Sequence, residues 1–318
     1  MKAGKIGILV LAVLLIASVS VFAKGQSEDK TITVGYSSIA SAIAPWTNAM
    51  EQNLKKECDA RGWNLVSLSA EGDIQLQTEQ ISTLITRNPD VIVLFAGDNA
   101  VSVDWVQEID DAGIPCVMSA LNVDEEGREY VEAFVGPDQE EMTKMIAQKI
   151  IEKHGKDANL LVPMISGVPV QYDYIVRLKG FQAGMASSNY ELVGPEYAFS
   201  SRAEAQGFME TYISIYGDKI DILMGFDDDL TLGAIAAIEE AGLTGQIEVY
   251  SITGQVEALQ AIKDGKMEMT VMNRTDLITA KAAEVIEKLF AGEDVAYNQE
   301  TEVFFITKDN VDQYEGEF

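Results

Sequence analysis

Residues suited to nucleophilic or metal-assisted chemistry are scarce in this sequence. Its 318 residues include one His and two Cys. A Ser–His–Asp or Cys–His arrangement would have to use His154, which ends a helical pattern before Gly155. A His there usually interacts with the helix C-terminus. The motifs HExxH, GxxxxGK(S/T) and GxGxxG are absent. Carboxylates alone could still act as acids and bases, but we expect no enzyme, no metal site and no cofactor.

Other residues have types and spacing suited to binding. Asp173 and Arg177 are four apart in a helical pattern, which places them on one face. A guanidinium offers only donors and a carboxylate only acceptors, so together they can satisfy both sides of a hydroxyl group. Trp46 begins another helical pattern after Pro45 and offers an aromatic face.

The elements that must position these residues alternate from Thr31 onward. Strand patterns cover Thr31–Tyr36, Asn64–Ala70, Val91–Phe95, Pro115–Ser119, Val131–Val135, Asn159–Met164, Tyr190–Val193, Ile220–Gly225, Ile247–Ser251, Met267–Met272 and Glu302–Ile306. Helical patterns cover Trp46–Arg61, Ile74–Arg87, Val101–Ala112, Glu140–Lys153, Asp173–Ser187, Arg202–Tyr216, Asp229–Ala241, Gln255–Lys263 and Asp276–Phe290. Continuous apolar strands between helices indicate parallel sheets covered on both faces. We therefore predict an α/β fold with two doubly wound parallel-sheet lobes and a ligand cleft between them.

The first 23 residues have the pattern of a secretory signal peptide. Lys2 and Lys5 precede an apolar run from Ile6 to Val21, and Val21-Phe22-Ala23 supplies a small-residue cleavage site. A single membrane anchor is the alternative, but the run is short for a span of roughly 20 residues. We predict cleavage after Ala23, a tail at 24–30, and a periplasmic protein.

The charge and the cysteines restrict the partners further. Without Lys2 and Lys5 the formal charge of −28 becomes −30. Such a surface repels nucleic acid and anionic lipid. Cys58 falls in a helical pattern and Cys116 opens a strand, so we expect two buried thiols rather than a disulfide.

Several motifs occur in a characteristic order. They are Ile32–Ser37 followed by Pro45-Trp46, Gln80–Leu94, Ala112-Gly113-Ile114-Pro115, Arg177–Phe181 and Asp227–Ala234. In this order they resemble the periplasmic sugar-binding proteins of ABC importers, the group that contains ribose-binding protein. The resemblance covers nearly the whole chain after residue 30.

The resemblance implies two lobes joined by three chain crossings that form a hinge. The crossings fall near Gly136–Pro137, near Asn273 and near Tyr297–Thr301. The N-terminal lobe then comprises 31–136 and 274–298, and the C-terminal lobe comprises 137–273 and 299–318.

The resemblance also implies a set of ligand-binding residues. These are Ser37, Trp46, Asp173, Arg177, Asp227 and Asn273. Each has a structural alternative, such as an ion pair for the Asp173–Arg177 pair or a turn for Asn273. Asp227 stands where the family has Asn, so the ligand group that it meets should be a donor. The next two residues, Asp228 and Asp229, are predicted to be a helix N-cap and a first-turn acid.

The chain departs from the family pattern where the family has further charged ligand residues. Ala120 and Leu121 stand in place of an Asp-Arg pair, and Thr253 stands in place of an Asp. Loop residues that could substitute for them are Asn122, Asp124 and Asp98. Ser38 and Thr253 are further, weaker candidates for ligand contacts. These departures leave other ligands open. One alternative is a ligand with fewer hydroxyl groups than an aldose, and another is a solute that is not a sugar, such as a nucleoside or a small amine.

The function that the resemblance implies is capture of a small polar solute, a sugar or polyol, for delivery to an ABC permease in the inner membrane. Presentation of the ligand to a chemoreceptor or sensor kinase is the alternative. Sugar-responsive repressors share the fold, but they carry a basic helix-turn-helix where this chain has a signal-peptide pattern. We expect a monomer.

Overall fold

The elements of the fold are numbered here in chain order. The computed structural model describes residues 31–199 and 201–318, so the predicted signal peptide at 1–23 and tail at 24–30 lie outside the described residues. The strands are β1 Thr33–Ser38, β2 Asn64–Ser69, β3 Val91–Phe95, β4 Cys116–Ser119, β5 Ala133–Gly136, β6 Asn159–Ser166, β7 Asn189–Tyr197, β8 Ile222–Gly225, β9 Glu248–Thr253, β10 Met269–Asn273, β11 Asn298–Glu300 and β12 Val303–Thr307. The helices are α1 Pro45–Arg61, α2 Ile74–Arg87, α3 Asn99–Asp111, α4 Gln139–His154, α5 Tyr172–Met185, α6 Arg202–Tyr216, α7 Asp228–Glu240, α8 Val256–Lys263 and α9 Thr275–Ala291.

The strands form two six-stranded sheets, one in each lobe. The first sheet has the order β11-β5-β4-β3-β1-β2, and all of these pairings are parallel. The second has the order β12-β10-β9-β8-β6-β7. Its edge strand β12 runs antiparallel to β10, which departs from the prediction of purely parallel sheets. The α/β fold with two doubly wound lobes is otherwise as predicted.

Strand β3 shows why each sheet is covered on both faces. All five of its residues are buried and apolar, and successive side chains point to opposite faces. Val91 and Val93 pack in a cluster with residues of α1 and α9. Ile92 and Leu94 pack in a second cluster with residues of α2 and α3. A continuous apolar run is therefore required here, because neither face is open to water.

The chain passes between the two sheets at three places. It leaves the first sheet after Gly136, leaves the second after Asn273, and crosses again between Glu300 and Val303. Strand β11 extends the first sheet to Glu300, two residues beyond the predicted lobe boundary at 298. Since α9 packs against α1, the segment after Asn273 returns to the first lobe.

The cysteines and the histidine have structural surroundings. Cys58 and Cys116 are buried free thiols, as predicted, and burial raises the pKa of Cys58 to about 11. His154 ends α4, and its Nε2 atom lies 3.0 Å from Glu248 Oε2. None of these residues lines the cavity described below.

Asp228 is a fully buried carboxylate that ties the start of α7 to neighbouring parts of the second lobe. One oxygen accepts hydrogen bonds from the backbone N–H groups of Gly254 and Gln255, at 2.6 and 2.9 Å. The other accepts from the Thr270 hydroxyl at 2.8 Å. Burial raises the pKa of Asp228, and these hydrogen bonds oppose that rise. The carboxylate thus fixes the loop that follows β9.

The prediction that Asp228 is the N-cap of this helix is therefore wrong. The N-cap is Asp227, whose Oδ1 atom accepts from the Asp229 N–H at 2.8 Å. Asp229 lies in the first turn, as predicted, and pairs with Arg202 at 2.7 Å. Three consecutive Asp residues thus have three different roles, which only their surroundings distinguish.

Replacement of Asp228 tests its role in the fold. Asp228→Ala should lower the free energy of unfolding by about 2–4 kcal/mol, because three buried donors lose their acceptor. Urea unfolding followed by circular dichroism measures this. Asp229→Ala is the matched control, and loss of its partly exposed ion pair should cost less than about 1 kcal/mol. Equal losses in the two variants would contradict the assignment.

Candidate functional site

A cavity lies where the carboxyl ends of strands from both sheets meet. It follows or adjoins the ends of β1, β3 and β4 in the first lobe and of β8, β9 and β10 in the second. Its empty volume, including the part open to solvent, is about 570 Å³. The lining residues are Ile39, Ala40, Ala44, Trp46, Thr47, Phe95, Ala120, Leu121, Gln139, Gln171, Asp173, Tyr174, Arg177, Asp227, Thr253 and Asn273.

Arg177 is the central polar group of the second-lobe side. Its side chain is 4% exposed, so the guanidinium depends on protein partners for its hydrogen bonds. Nη1 donates to the Phe226 carbonyl at 2.7 Å, and Nε donates to Gln139 Oε1 at 2.9 Å. Nη1 also lies 3.1 Å from Asp173 Oδ2. The guanidinium stands over the Tyr174 ring, 5.4 Å from its centroid. Three segments therefore fix its position: the loop after β8, the start of α4, and α5 itself.

Two buried polar atoms of the lining have no hydrogen-bond partner. They are Asp173 Oδ1 and Thr253 Oγ1. Burial raises the pKa of Asp173, while the charge of Arg177 lowers it. Thr253 has a φ of 128°, in a region that side chains rarely adopt. Unpartnered buried polar atoms are costly unless a ligand or water satisfies them, so both are candidate ligand contacts.

Asp227 adds a second carboxyl group to the lining. Burial, and to a smaller extent the neighbouring Asp228, raises the pKa of Asp227 to about 7. The Asp229 N–H and the charge of Arg177 oppose the rise. With one oxygen used as the helix cap, the rest of the carboxyl group is available to a ligand donor.

Trp46 supplies the aromatic surface and joins the two lobes. Its ring lies 5.8 Å from that of Phe95 at an interplanar angle of 44°. Its Nε1 atom donates to the backbone and side-chain oxygens of Asn273, at 3.2 and 3.1 Å. Pro45 occupies the first position of α1, where a missing N–H costs nothing. The rigid start of α1 thus holds the ring against the end of β10.

The structure brings together most of the sequence-predicted site residues. Those that line the cavity are Trp46, Asp173, Arg177, Asp227, Asn273 and Thr253. The structure places Ser37, Ser38, Asp98 and Asn122 outside the lining. The first group therefore shares one cavity lining and the second group does not, and the ligand contacts themselves stay predictions.

The two serines at the end of β1 are used by the first lobe itself. Both are fully buried. Ser37 Oγ accepts from Gln77 Nε2 at 3.2 Å. Ser38 Oγ accepts from the N–H groups of Ala40 and Ser41, at 3.3 and 3.2 Å. Ser38 therefore caps backbone N–H groups of its own lobe, and Ser37 pairs with a buried side chain of that lobe.

The two loop residues have local roles as well. Asp98 is the N-cap of α3 and accepts from the Val101 N–H at 3.0 Å. Asn122 Oδ1 accepts from the Tyr297 hydroxyl at 2.6 Å and from its neighbour's N–H at 2.9 Å. Neither replaces the charged residues that are missing at Ala120 and Leu121.

Sequence reasoning missed several lining residues. Gln139 and Gln171 precede or begin helices at the cavity, and Tyr174 adjoins Asp173 on α5. Phe95 is the last residue of a buried strand and could have been found from its position at a carboxyl end. The glutamines carry no comparable signal, because their role depends on the approach of α4 to α5.

Among residues 31–199 and 201–318, no group of three or more His, Cys, Asp and Glu residues is arranged to hold a metal ion. Across the same residues, no helix combines the length and apolar character needed to span a membrane.

Comparison with known proteins identifies the family. Residues 34–294 match the model of the periplasmic binding protein domain. The chain belongs to this family. The match confirms both the resemblance to periplasmic sugar-binding proteins and the expectation of a solute-binding protein rather than an enzyme.

Curated relatives of this binding protein cover most of the chain. The ribose import binding protein of Bacillus subtilis is 27% identical over 270 residues, which is 85% of this chain and 85% of the relative. The xylitol-binding protein of Mycolicibacterium smegmatis is 27% identical over 288 residues, which is 90% of this chain and 80% of the relative.

Solved structures share the fold of this binding protein. A galactofuranose binding protein has a TM-score of 0.83 at 21% identity, with 89% of this chain and 96% of the other covered. An ABC transporter solute binding protein from Bacillus halodurans with bound myo-inositol has a TM-score of 0.82 at 24% identity, with 91% and 98% covered.

The raised pKa of Asp227 predicts a pH-dependent stability. Between pH 4 and pH 7 the Asp227 carboxyl binds a proton more tightly in the folded state than in the unfolded chain. The contribution of this group to the free energy of unfolding therefore falls as the pH rises through that window. Asp227→Asn keeps a good N-cap and removes the ionisation. At pH 8 the free energy of unfolding of the variant should exceed that of the wild type by on the order of 1 kcal/mol, and at pH 4.5 the difference should be smaller.

Urea unfolding of the ligand-free protein at both pH values measures the difference. Asp229→Asn removes one charge from the same turn and controls for net charge. A constant difference between wild type and Asp227→Asn at the two pH values would contradict the raised pKa.

Proposed function

We propose that this protein captures a small neutral sugar or polyol in the cavity between its lobes and delivers it to an ABC permease in the inner membrane. The observation that carries the proposal is the pairing of Arg177 with Asp173 beside the Trp46 ring. This arrangement supplies a donor, an acceptor and an aromatic face within one cavity. Those are the groups that hydroxyls and the C–H face of a sugar ring require.

The charges of the lining favour a neutral ligand over an anion. Asp173 and Asp227 stand beside a single guanidinium, and the formal charge of the chain is −28. An anionic ligand would meet this field without an unpaired cation in the lining. The relatives give further support, since their names specify ribose and xylitol and one structural neighbour holds myo-inositol.

The proposed delivery rests on export and on two-lobed recognition. We place the protein in the periplasm after removal of residues 1–23, with no nucleic-acid partner, acting as a monomer. Contacts to the ligand come from both lobes, so a permease can distinguish the closed, loaded shape from the open one.

A ligand screen tests the proposed class. A pentose, hexose or polyol at about 100 times its Kd should stabilise the protein by about 2.7 kcal/mol through mass action. Thermal unfolding with each compound, followed by calorimetry for 1:1 stoichiometry, measures this. Nucleosides and small amines are included as comparators. Stabilisation by those comparators alone would overturn the sugar or polyol assignment.

Arg177→Ala should weaken the binding of a ligand found in that screen by about ten- to a hundredfold, the effect of losing a charged hydrogen bond. The guanidinium also donates to Phe226 and Gln139, so the free energy of unfolding should fall as well, by about 1–3 kcal/mol. Calorimetry at a temperature where the variant is fully folded separates the two effects. Lys179→Ala, on the exposed face of the same helix, is the control, and it should change neither the ligand affinity nor the free energy of unfolding. Unchanged affinity in Arg177→Ala would leave Arg177 with a structural role only.

Ligand binding should also close the hinge. The lobes contact each other through the Asn99 N–H, which donates to the Val170 carbonyl at 3.0 Å, and through Trp46 and Asn273. We expect these contacts to be populated mainly with ligand bound, because the ligand adds favourable interactions across the cleft. Small-angle scattering should show a smaller radius of gyration with ligand. An equal radius in both states would contradict closure.

A further inference from the structure

The two sides of the cavity differ in chemistry, and the difference restricts the ligand. Resting on the proposed function, we propose that the preferred ligand is a deoxy sugar or deoxy polyol. Its methyl or methylene edge would face the first lobe, and its hydroxyl edge would face the second. The residues that set this preference are Ile39, Phe95, Ala120 and Leu121, here called the apolar wall.

The apolar wall is part of the core of the first lobe. Its four side chains contain only carbon and hydrogen, and each is at most 5% exposed. All four belong to the same hydrophobic cluster, in which the Trp46 ring is packed as well. Their positions follow from the core of the lobe, so the wall cannot readily turn away to admit water.

Three backbone N–H groups of the apolar wall are also occupied. The Ile39 N–H donates to the Phe95 carbonyl at 3.3 Å. The Ala120 N–H donates to the Val135 carbonyl, and the Leu121 N–H donates to the Ser119 carbonyl, both at 2.7 Å. A ligand hydroxyl placed here would find no side-chain partner and no free N–H on these three residues.

The donor groups of the other first-lobe polar side chains of the lining are already used. Thr47 Oγ1 donates to the Ala44 carbonyl at 3.0 Å. Trp46 Nε1 donates to Asn273. The first turn of α1 has no side-chain cap, so its backbone N–H groups are the donors that this lobe retains, and they lie beside Trp46 rather than on the apolar wall.

The second-lobe side has the opposite character. It presents Gln139, Asp173, Arg177, Asp227 and Thr253, and the two unpartnered buried atoms of the lining, Asp173 Oδ1 and Thr253 Oγ1, belong to it. A hydroxyl-bearing edge is satisfied there. A fully hydroxylated ligand of the same size would also turn hydroxyls toward the apolar wall, where no side chain and none of these three N–H groups replaces the water that each hydroxyl gives up. A methyl or methylene group avoids that loss and gains apolar contact.

Matched pairs of sugars test the inference. The pairs are D-fucose with D-galactose, L-rhamnose with L-mannose, 2-deoxyribose with ribose, and 1-deoxymannitol with mannitol. Calorimetry on the wild-type protein should show, in the pair that binds most tightly, a preference of about tenfold or more for the deoxy member. The measurement uses the folded wild-type chain, so it does not depend on any variant.

A variant of the apolar wall assigns the preference to its cause. Leu121→Gln introduces an amide of similar volume and should reduce the preference about tenfold, mainly through tighter binding of the hydroxylated member. Leu121→Met changes the shape without adding a polar group and should keep the preference. A preference that is the same in both variants and in the wild type would overturn the role of the wall.

The outcomes separate this inference from the proposed function. Equal binding within every pair, or tighter binding of the hydroxylated members, overturns the deoxy preference and leaves the proposed function standing. Failure of all pairs to bind overturns the deoxy ligand class, and if the pentoses, hexoses and polyols of the wider screen also fail, it overturns the proposed function as well.

Discussion

The buried guanidinium of Arg177 is the interaction on which the site depends. A charge that is only 4% exposed is stable only if the protein surrounds it with oriented oxygens. Those oxygens come from Phe226 after β8, from Gln139 at the start of α4 and from Asp173 on its own helix. The second lobe must therefore bring these segments together before it can offer a binding surface. The Asp173 Oδ1 atom has no hydrogen-bond partner among these groups. The ion pair therefore has a structural role and also offers a candidate acceptor for a ligand hydroxyl.

The first lobe contributes shape rather than charge. Residues at or just after the ends of β1, β3 and β4, namely Ile39, Phe95, Ala120 and Leu121, belong to the hydrophobic core, and the Trp46 ring packs against the same cluster at the cavity. The lining is consequently divided between the lobes. Its hydrogen-bonding side chains come mainly from the second lobe, and its apolar surface comes mainly from the first. In the proposed function the ligand spans this division, so that neither lobe alone satisfies all of its parts.

Much of the fold follows from local sequence patterns. The run Val91–Phe95 predicts a doubly covered strand, and Gly62 ends α1 in the left-handed conformation that glycine adopts at low cost. Strand β11 was not predicted, because three polar residues carry no periodic signal and pair with β5 only after the chain has returned to the first lobe. The role of Asp228 was misassigned for a related reason. Its donors at Gly254, Gln255 and Thr270 are distant in sequence.

The sequence by itself indicated the class of protein and the proposed binding pair. The alternation of strand and helix patterns predicts two covered parallel sheets, to which the edge strand β12 is an antiparallel exception. The four-residue spacing of Asp173 and Arg177 places them on one helix face wherever that helix lies. Only the tertiary structure decided which polar residues are available to a ligand. Ser37, Ser38, Asp98 and Asn122 are the right types at strand and loop ends, yet each is engaged by its own lobe. Spacing along a chain fixes the direction of a side chain within its own element, whereas its hydrogen-bond partners depend on which other elements pack against it.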